Sequence, residues 1–172
     1  RAKKKKFVEG LSELGISKIP QMLVRSGKER IRAFSGEMDR EQVMDLWRVL
    51  PIEGVGLYVG KDMMNRNGVR EIRLSLDGMH AWKSQIQSAI SKLGVGGLEL
   101  GVRLVQLSEG QEVEWFLGRD IELLESQKVE AGFVCVKSAD GKDFVGIGKV
   151  GADGKTLFSF LPKERRRKER MN

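Results

Sequence analysis

The sequence predicts an α+β protein, in which a mixed α/β N-terminal region precedes a small β-rich unit. Three observations predict this class. Helical spacing and strand-like alternation are interleaved in the first part of the chain. Short apolar runs fill the last third, separated by Asp140-Gly141 and Asp153-Gly154, which are typical of hairpin turns. The 172 residues, 40% of them hydrophobic, suffice for one substantial domain or two small ones. We place the boundary at residues 107/108.

The first elements of the N-terminal region, residues 1–107, alternate between helix and strand. Phe7 to Gly15 has short helical spacing that a glycine ends, and residues 16–26 have the irregular pattern of a connection. Residues 30–35 alternate polar and apolar side chains, as in a half-buried strand. Asp39 is a good N-cap, with Gln42 three residues on, so a capping box begins the next helix. Pro51 ends that helix.

Two strands and a helix complete this region. Residues 54–60 and 69–76 read as strands, and the turn between them contains Asn67-Gly68, a strong hairpin signal. Residues 79–93 have helical spacing, which the glycines of residues 94–97 end. Residues 98–107 alternate weakly and could form a strand.

The C-terminal unit, residues 108–172, begins with a second capping box, formed by Ser108 and Gln111. A short helix follows and stops at Gly118. Four strands are predicted after it, over residues 120–124, 132–137, 144–150 and 156–161. Gly146, Gly148 and Gly151 match the letters of a dinucleotide-binding motif, but a strand follows them where that motif needs a helix. These glycines are therefore expected to permit close backbone approach, either inside a tightly curved barrel or against a ligand.

The positive charge of the chain is concentrated at its ends. Residues 163–172 hold six Lys or Arg and two Glu, and Arg1 with Lys3 to Lys6 adds five cations. Because the formal net charge is +7, the body of the chain carries about −2. Phosphate backbones attract such cationic clusters through counterion release. Basic ends are also typical of solvated tails and localisation signals, so this pattern alone leaves the choice open.

Catalytic and cofactor chemistry find little support in the composition. One cysteine, Cys135, and one histidine, His80, cannot build a disulfide, a zinc site or a usual nucleophile and base pair. We expect Cys135 to lie buried in a strand and His80 to lie at the surface. We therefore expect the protein to have no enzymatic activity and to bind no cofactor or metal. No stretch is long and apolar enough for a membrane span, and Glu9-Gly10 interrupts any secretory signal.

Aromatic residues make up only 6% of the chain, which disfavours a base-stacking platform. Trp47 and Trp115 have helical spacing among apolar neighbours and are expected in the core. Trp82 is the tryptophan expected to be most exposed. We therefore expect any nucleic acid to be recognised through its backbone and shape rather than by base stacking.

The last third of the chain resembles a PUA domain, an RNA-binding module of RNA-modifying proteins. The resemblance rests on the order of four segments over about residues 104–166, namely Glu114 to Ile121, Gly132 to Lys137, Phe144 to Val150 and Leu161 to Arg166. It is closest to the PUA-like unit at the end of Sun-type RNA cytosine methyltransferases and their small stand-alone relatives. Those enzymes have a methyl-donor domain and catalytic cysteines that this chain does not match, so their activity is not carried over.

The resemblance implies a small β pseudobarrel that binds structured RNA. By position, it gives a contact role to Gly118, Arg119, Gly148, Lys149, Lys163, Arg165, Arg166 and Arg167. Guanidinium groups suit this role because they can form paired hydrogen bonds to phosphate.

We therefore expect non-catalytic binding of ribosomal or transfer RNA during RNA modification or ribosome biogenesis. The expected partners are structured RNA and an RNA-modifying enzyme or a pre-ribosomal particle, with no membrane. The expected location is cytoplasmic, or nucleolar in a eukaryote. Two alternatives stay open: a protein-interaction or ribosome-assembly adaptor whose basic ends give only nonspecific RNA affinity, and one subunit of a larger modification machine.

Overall fold

A computed structural model of the chain describes residues 2–50, 54–65, 67–93 and 102–168. It has a mixed α+β structure with two β-sheets, which confirms the predicted class. The chain divides into two compact units. Unit 1 comprises Arg1–Ser12 and Ile16–Ala81, and unit 2 comprises Glu13–Gly15 and Trp82–Asn172. This division falls between Ala81 and Trp82, whereas the boundary drawn from the sequence lies near residue 107.

Unit 1 is built on an antiparallel four-stranded sheet whose strands follow one another in chain order. Its elements are α1 (Ala2–Glu9), β1 (Met22–Ser26), β2 (Arg30–Phe34), α2 (Arg40–Val49), β3 (Leu57–Met64), β4 (Arg70–Leu74) and α3 (Leu76–Ala81). Phe7 of α1 and Val59 of β3 are both buried. The apolar residues of the sequence pattern therefore form the core of this unit.

Three predictions for unit 1 are corrected at their edges. Helix α1 begins at Ala2, so Lys3 to Lys6 lie within a helix. The segment read as a connection ends in β1, which pairs with β2. Strand β3 begins at Leu57 rather than at Gly54, because Gly56 has a φ of +88° that extended strands do not adopt. Strand β3 then continues to Met64 because β4 pairs with it to that residue.

The predicted capping box and turn of unit 1 are confirmed. The Gln42 amide donates to Asp39 Oδ1 over 2.9 Å, and the Asp39 amide donates to Gln42 Oε1 over 2.8 Å. Between β3 and β4, the amides of Asn67 and Val69 donate to Asn65 Oδ1. These local hydrogen bonds explain why the short-range signals in the sequence were informative.

From Trp82 onward, the described residues of unit 2 form two α-helices, a five-stranded sheet and two short 3-10 helices. Its elements are α4 (Lys83–Leu93), β5 (Leu104–Gln106), α5 (Glu109–Leu117), β6 (Ile121–Glu122), a 3-10 helix (Glu125–Gln127), β7 (Gly132–Lys137), β8 (Phe144–Val150), β9 (Thr156–Ser159) and a 3-10 helix (Lys163–Arg165). The helix predicted over residues 79–93 is thus two helices, α3 and α4. The glycines predicted to end it, and the start of the strand predicted over 98–107, lie outside the described residues.

The sheet of unit 2 is curled into a half-barrel. Its order is β5-β7-β8-β9-β6, with β5 parallel to β7 and the other pairs antiparallel. Two glutamines join its edge strands. Gln111 Nε2 donates to the Glu122 carbonyl of β6 over 2.7 Å, and Gln127 Nε2 donates to the Gln106 carbonyl of β5 over 2.5 Å. Because the two glutamine side chains also bond to each other, the sheet edges are held together.

Helix α5 closes the core of unit 2 through Trp115. This side chain is fully buried, and its indole N–H donates to the Val145 carbonyl over 3.3 Å. A Cβ on Gly146 would lie 2.6 Å from the Trp115 ring, so only glycine permits this packing. Gly148 likewise faces Leu157 in the core. The close-packing reading of the glycine motif is confirmed, since Gly146 and Gly148 lie in β8 and a hairpin follows.

The tryptophan predictions were right for Trp115 and wrong for the other two. Trp82 is only 2% exposed, and Trp47 is half-buried. Trp82 was expected near the start of one helix over residues 79–93, whereas it lies between α3 and α4. Cys135 is buried and His80 is exposed, as predicted.

Candidate nucleic-acid interface

The basic C-terminal segment is attached to the folded part of unit 2 as far as Arg167. The Arg167 amide donates to the Phe116 carbonyl of α5 over 2.7 Å. Arg166 Nε donates to the Leu161 carbonyl over 3.0 Å. The Arg166 side chain also lies directly against Gly118, the left-handed C-cap of α5. Three of the predicted contact residues, Gly118, Arg166 and Arg167, are thus brought together at one end of α5.

Lys163 and Arg165 lie on the 3-10 helix that precedes this attachment. Both residues are exposed. Because Leu161 before them is buried in the core and Arg166 after them is bonded back to it, the helix is held at both ends. Its cations therefore have defined positions, which a detached tail would not give them.

Arg119 follows Gly118 and is also exposed. Its guanidinium forms an ion pair with Glu114 of α5, with 2.7 Å between Nη1 and Oε2. The pair is solvent-accessible on both sides, so it contributes little to stability. A phosphate could replace Glu114 at modest cost for the same reason.

Lys149 lies apart from α5, on the outer face of β8. Its ammonium is 5.1 Å from the centre of the Phe133 ring, a cation–π contact. In the sheet, Lys149 is directly opposite Phe133 on β7 and Phe158 on β9. Gly148, next to Lys149, is buried, and a Cβ on it would point into the core. Gly148 therefore has a packing role.

An acidic cleft of about 420 Å³ borders Arg167. Its carboxylates are Glu109, Glu112, Asp140 and Asp143. The Arg167 guanidinium lies 5.1 Å from the Phe116 ring centre at the edge of this cleft. These carboxylates disfavour a phosphate beside Arg167, whereas Lys163 and Arg165 do not line this cleft.

Unit 1 has a cationic cleft that the sequence did not reveal. The cleft has a volume of about 560 Å³, and its lining includes five cations and two carboxylates. The cations are Lys3 and Lys6 of α1, Arg25 of β1, Lys28 of the following turn, and Arg70 of β4. The cleft therefore has an excess of positive charge.

Asp62 organises the arginines of this cleft. Arg70 donates to both carboxylate oxygens of Asp62 over 2.6 Å, and Arg25 donates to Oδ2. Burial raises the pKa of Asp62, but the hydrogen bonds and charges of Arg70 and Arg25 outweigh burial and hold that pKa below its ordinary value. The hydrogen bonds that Arg70 donates to Asp62 in turn raise the pKa of Arg70. Both guanidiniums are therefore fixed in place by a charged carboxylate.

Catalytic groups are sparse in the part of the chain that the structure describes. Burial raises the pKa of the Cys135 thiol to about 12, so it stays protonated at neutral pH and is a poor nucleophile. Among the same residues, no three His, Cys, Asp or Glu side chains cluster as a metal site requires. None of the described helices combines the length and apolar character needed to cross a bilayer.

No protein-family model matches this chain, and a search of curated proteins finds no match for it.

Sequence reasoning missed two groups of residues. The first is the cationic cleft, since Arg25, Lys28 and Arg70 come together only through the pairing of β1 to β4. The second is the phenylalanine group around Lys149. A signal for it was present, because Phe158 and Phe160 are spaced by two, the period that puts side chains on one face of a strand.

Proposed function

We propose that this protein binds structured RNA without catalysis, and that unit 2 is a PUA-like pseudobarrel. The parallel β5–β7 pair, the helix α5 and the curled five-stranded sheet are compatible with that fold. Ribosomal or transfer RNA is the proposed ligand, in RNA modification or ribosome biogenesis.

The observation that carries this proposal is the attachment of the basic segment to unit 2. Lys163 and Arg165 are held between buried Leu161 and the bonded Arg166. Cations in fixed positions lose less conformational entropy on binding than cations on a free tail. They can therefore select the phosphate spacing of a folded RNA element.

Phosphate contacts predict a strong dependence on salt. If four to six cations contact phosphates, the slope of log affinity against log salt is about −0.7 to −0.9 per contact. Affinity should then fall by a few decades between low and moderately high salt. A complex with an RNA hairpin that is insensitive to salt would contradict the proposal.

A charge-matched pair of variants tests which cations contribute. The test variant combines Arg119→Ala, Lys163→Ala and Arg165→Ala. The control combines Lys128→Ala, Lys142→Ala and Lys155→Ala, which remove the same charge from unit 2 at positions outside the predicted site. Fluorescence anisotropy with an RNA hairpin measures the slope of log affinity against log salt. The magnitude of this slope should fall by about 2 for the test variant and stay nearly unchanged for the control.

The same pair separates this function from the adaptor alternative. An adaptor would keep its protein partner in both variants, and if its RNA affinity came from net charge alone, the two variants would lose RNA binding equally. Equal losses would therefore overturn the proposed site. Co-purification of an RNA-modifying enzyme with the wild-type protein after crosslinking would identify the larger machine as its setting.

A further inference from the structure

Three phenylalanine side chains lie around one lysine on one face of the unit 2 sheet. We call the four residues Phe133, Lys149, Phe158 and Phe160 the aromatic patch. Phe158 is 42% exposed and Phe160 is 38% exposed, values that are high for phenylalanine. The ring centres of Phe133 and Phe160 are 5.9 Å apart, with an angle of 61° between the rings.

The patch follows from the alternation of side chains in β7, β8 and β9. Val134, Gly148 and Leu157 face the core, so Phe133, Lys149 and Phe158 lie on the opposite face of the sheet, where Cys135 and Ile147 are buried further along the strands. Strand pairing then aligns Phe133, Lys149 and Phe158 in one row across the sheet. The core alone does not require phenylalanine at these outward positions.

The patch is continuous with the cationic part of the candidate interface. Phe160 is three residues before Lys163 in the chain. The amide of Ser159, between the two exposed phenylalanines, donates to Asp120 Oδ1 over 3.1 Å. Asp120 directly follows Arg119, so this hydrogen bond joins the Arg119 turn to β9, and the chain runs from Phe160 into the Lys163 helix.

We infer that the aromatic patch stacks an unpaired nucleobase of the bound RNA, with Lys149 facing the phosphate of the same nucleotide. This inference rests on the proposed function and extends it from the backbone to a base. Bases within a duplex are already stacked, so only a splayed or single-stranded base can reach an exposed ring. Aromatic rings stack on any base, which makes this contact tolerant of sequence. The ammonium amid the rings distinguishes the patch from a purely apolar docking face.

Three RNA probes test the inference by fluorescence anisotropy. They are a hairpin with a short oligouridine tail, the same hairpin with an abasic tail, and free oligouridine. The abasic tail keeps every phosphate and lacks the bases. We expect the wild-type protein to bind the uridine tail about 5- to 100-fold more tightly than the abasic tail.

Phe158→Ala and Phe160→Ala should remove this difference without changing affinity for the abasic tail. Phe158→Leu keeps the apolar bulk and lacks the aromatic face, so it should also remove the difference even if the alanine variants are unstable. Leu124→Ala is the control, because Leu124 is a similarly exposed apolar side chain of unit 2 outside the patch. Thermal unfolding of each variant checks that its fold is intact.

The outcomes separate the inference from the proposed function. If the wild-type protein binds both hairpins equally, the inference is wrong and the proposed function stands. If it binds free oligouridine through Phe158, and binds neither tailed hairpin more tightly than free oligouridine, the stacking inference stands and the proposed binding of structured RNA is wrong. If it binds no probe, both are wrong. If Phe158→Leu changes only self-association, measured by sedimentation, the patch is an interface between copies and the inference is overturned.

Discussion

The side chain of Arg166 occupies the space into which a Cβ on Gly118 would project. Gly118 also has a φ of +78°, a conformation that other residues adopt only with strain. The substitution Gly118→Ala should therefore destabilise the protein by about 1–3 kcal/mol. Urea unfolding followed by circular dichroism measures this change.

Gly110 provides the matched control for Gly118→Ala. It lies in the same helix, α5, and nothing is within 4 Å of the position its Cβ would take. Gly110→Ala should stabilise the protein by up to about 1 kcal/mol, since alanine favours a helix over glycine. Equal effects of the two substitutions would show that the left-handed cap and the Arg166 contact contribute nothing to the free energy of unfolding.

Asp62→Asn should destabilise unit 1 at neutral pH. The substitution removes the negative charge of an acceptor that two arginines share, but Asn keeps one oxygen that can accept from them, so the expected loss is that of about one hydrogen bond to a charged group. We expect a loss of about 2 kcal/mol in the free energy of unfolding at pH 7. Asp45→Asn is the control, because the Asp45–Arg48 ion pair is exposed and should contribute less than about 1 kcal/mol.

The effect of Asp62→Asn should also depend on pH. The folded pKa of Asp62 lies below its ordinary value, so its contribution is present above the unfolded pKa of about 3.8. That contribution is lost as the pH falls through the folded pKa. The gap in stability between wild type and variant should therefore narrow below about pH 4. A gap that is constant from pH 7 to pH 2.5 would contradict this origin.

Local patterns in the sequence were sufficient for most elements of the fold. The two capping boxes and the glycine turns depend on residues within four positions of one another, so the sequence displays them directly. Strand β3 was misplaced because its limits depend on pairing with β2 and β4. The burial of Trp82 was missed for a similar reason, since it depends on tertiary packing rather than on spacing.

The candidate site was less predictable than the fold. The basic segment is contiguous, so Lys163, Arg165 and Arg166 could be named from composition and resemblance. Sequence could not tell that Arg166 bonds inward while Lys163 stays exposed. The cationic cleft was invisible because its five cations come from four separate segments of the chain.

The Cys135 thiol should be unreactive in the folded protein. Burial raises its pKa to about 12, so almost no thiolate exists at pH 8, and reagents cannot reach the sulfur. Ellman's reagent should give no fast reaction in buffer and one thiol per chain in denaturing urea. Rapid reaction without urea would place Cys135 at the surface.

The cationic cleft should extend the RNA footprint to unit 1. Lys3, Lys6 and Lys28 line this cleft beside Arg25 and Arg70. Lysines at its rim can contact phosphates, whereas the two arginines are engaged with Asp62. Replacing the three lysines with Ala should therefore lower the salt slope of RNA binding by about 2.

The control for the cleft lysines replaces Lys5, Arg40 and Arg48 with Ala. These residues carry the same charge in unit 1 and do not line the cleft. If the cleft contacts RNA, only the cleft variant should lose slope. If both variants lose slope equally, the lysines act only through net charge, and if neither variant loses slope, the footprint is confined to unit 2.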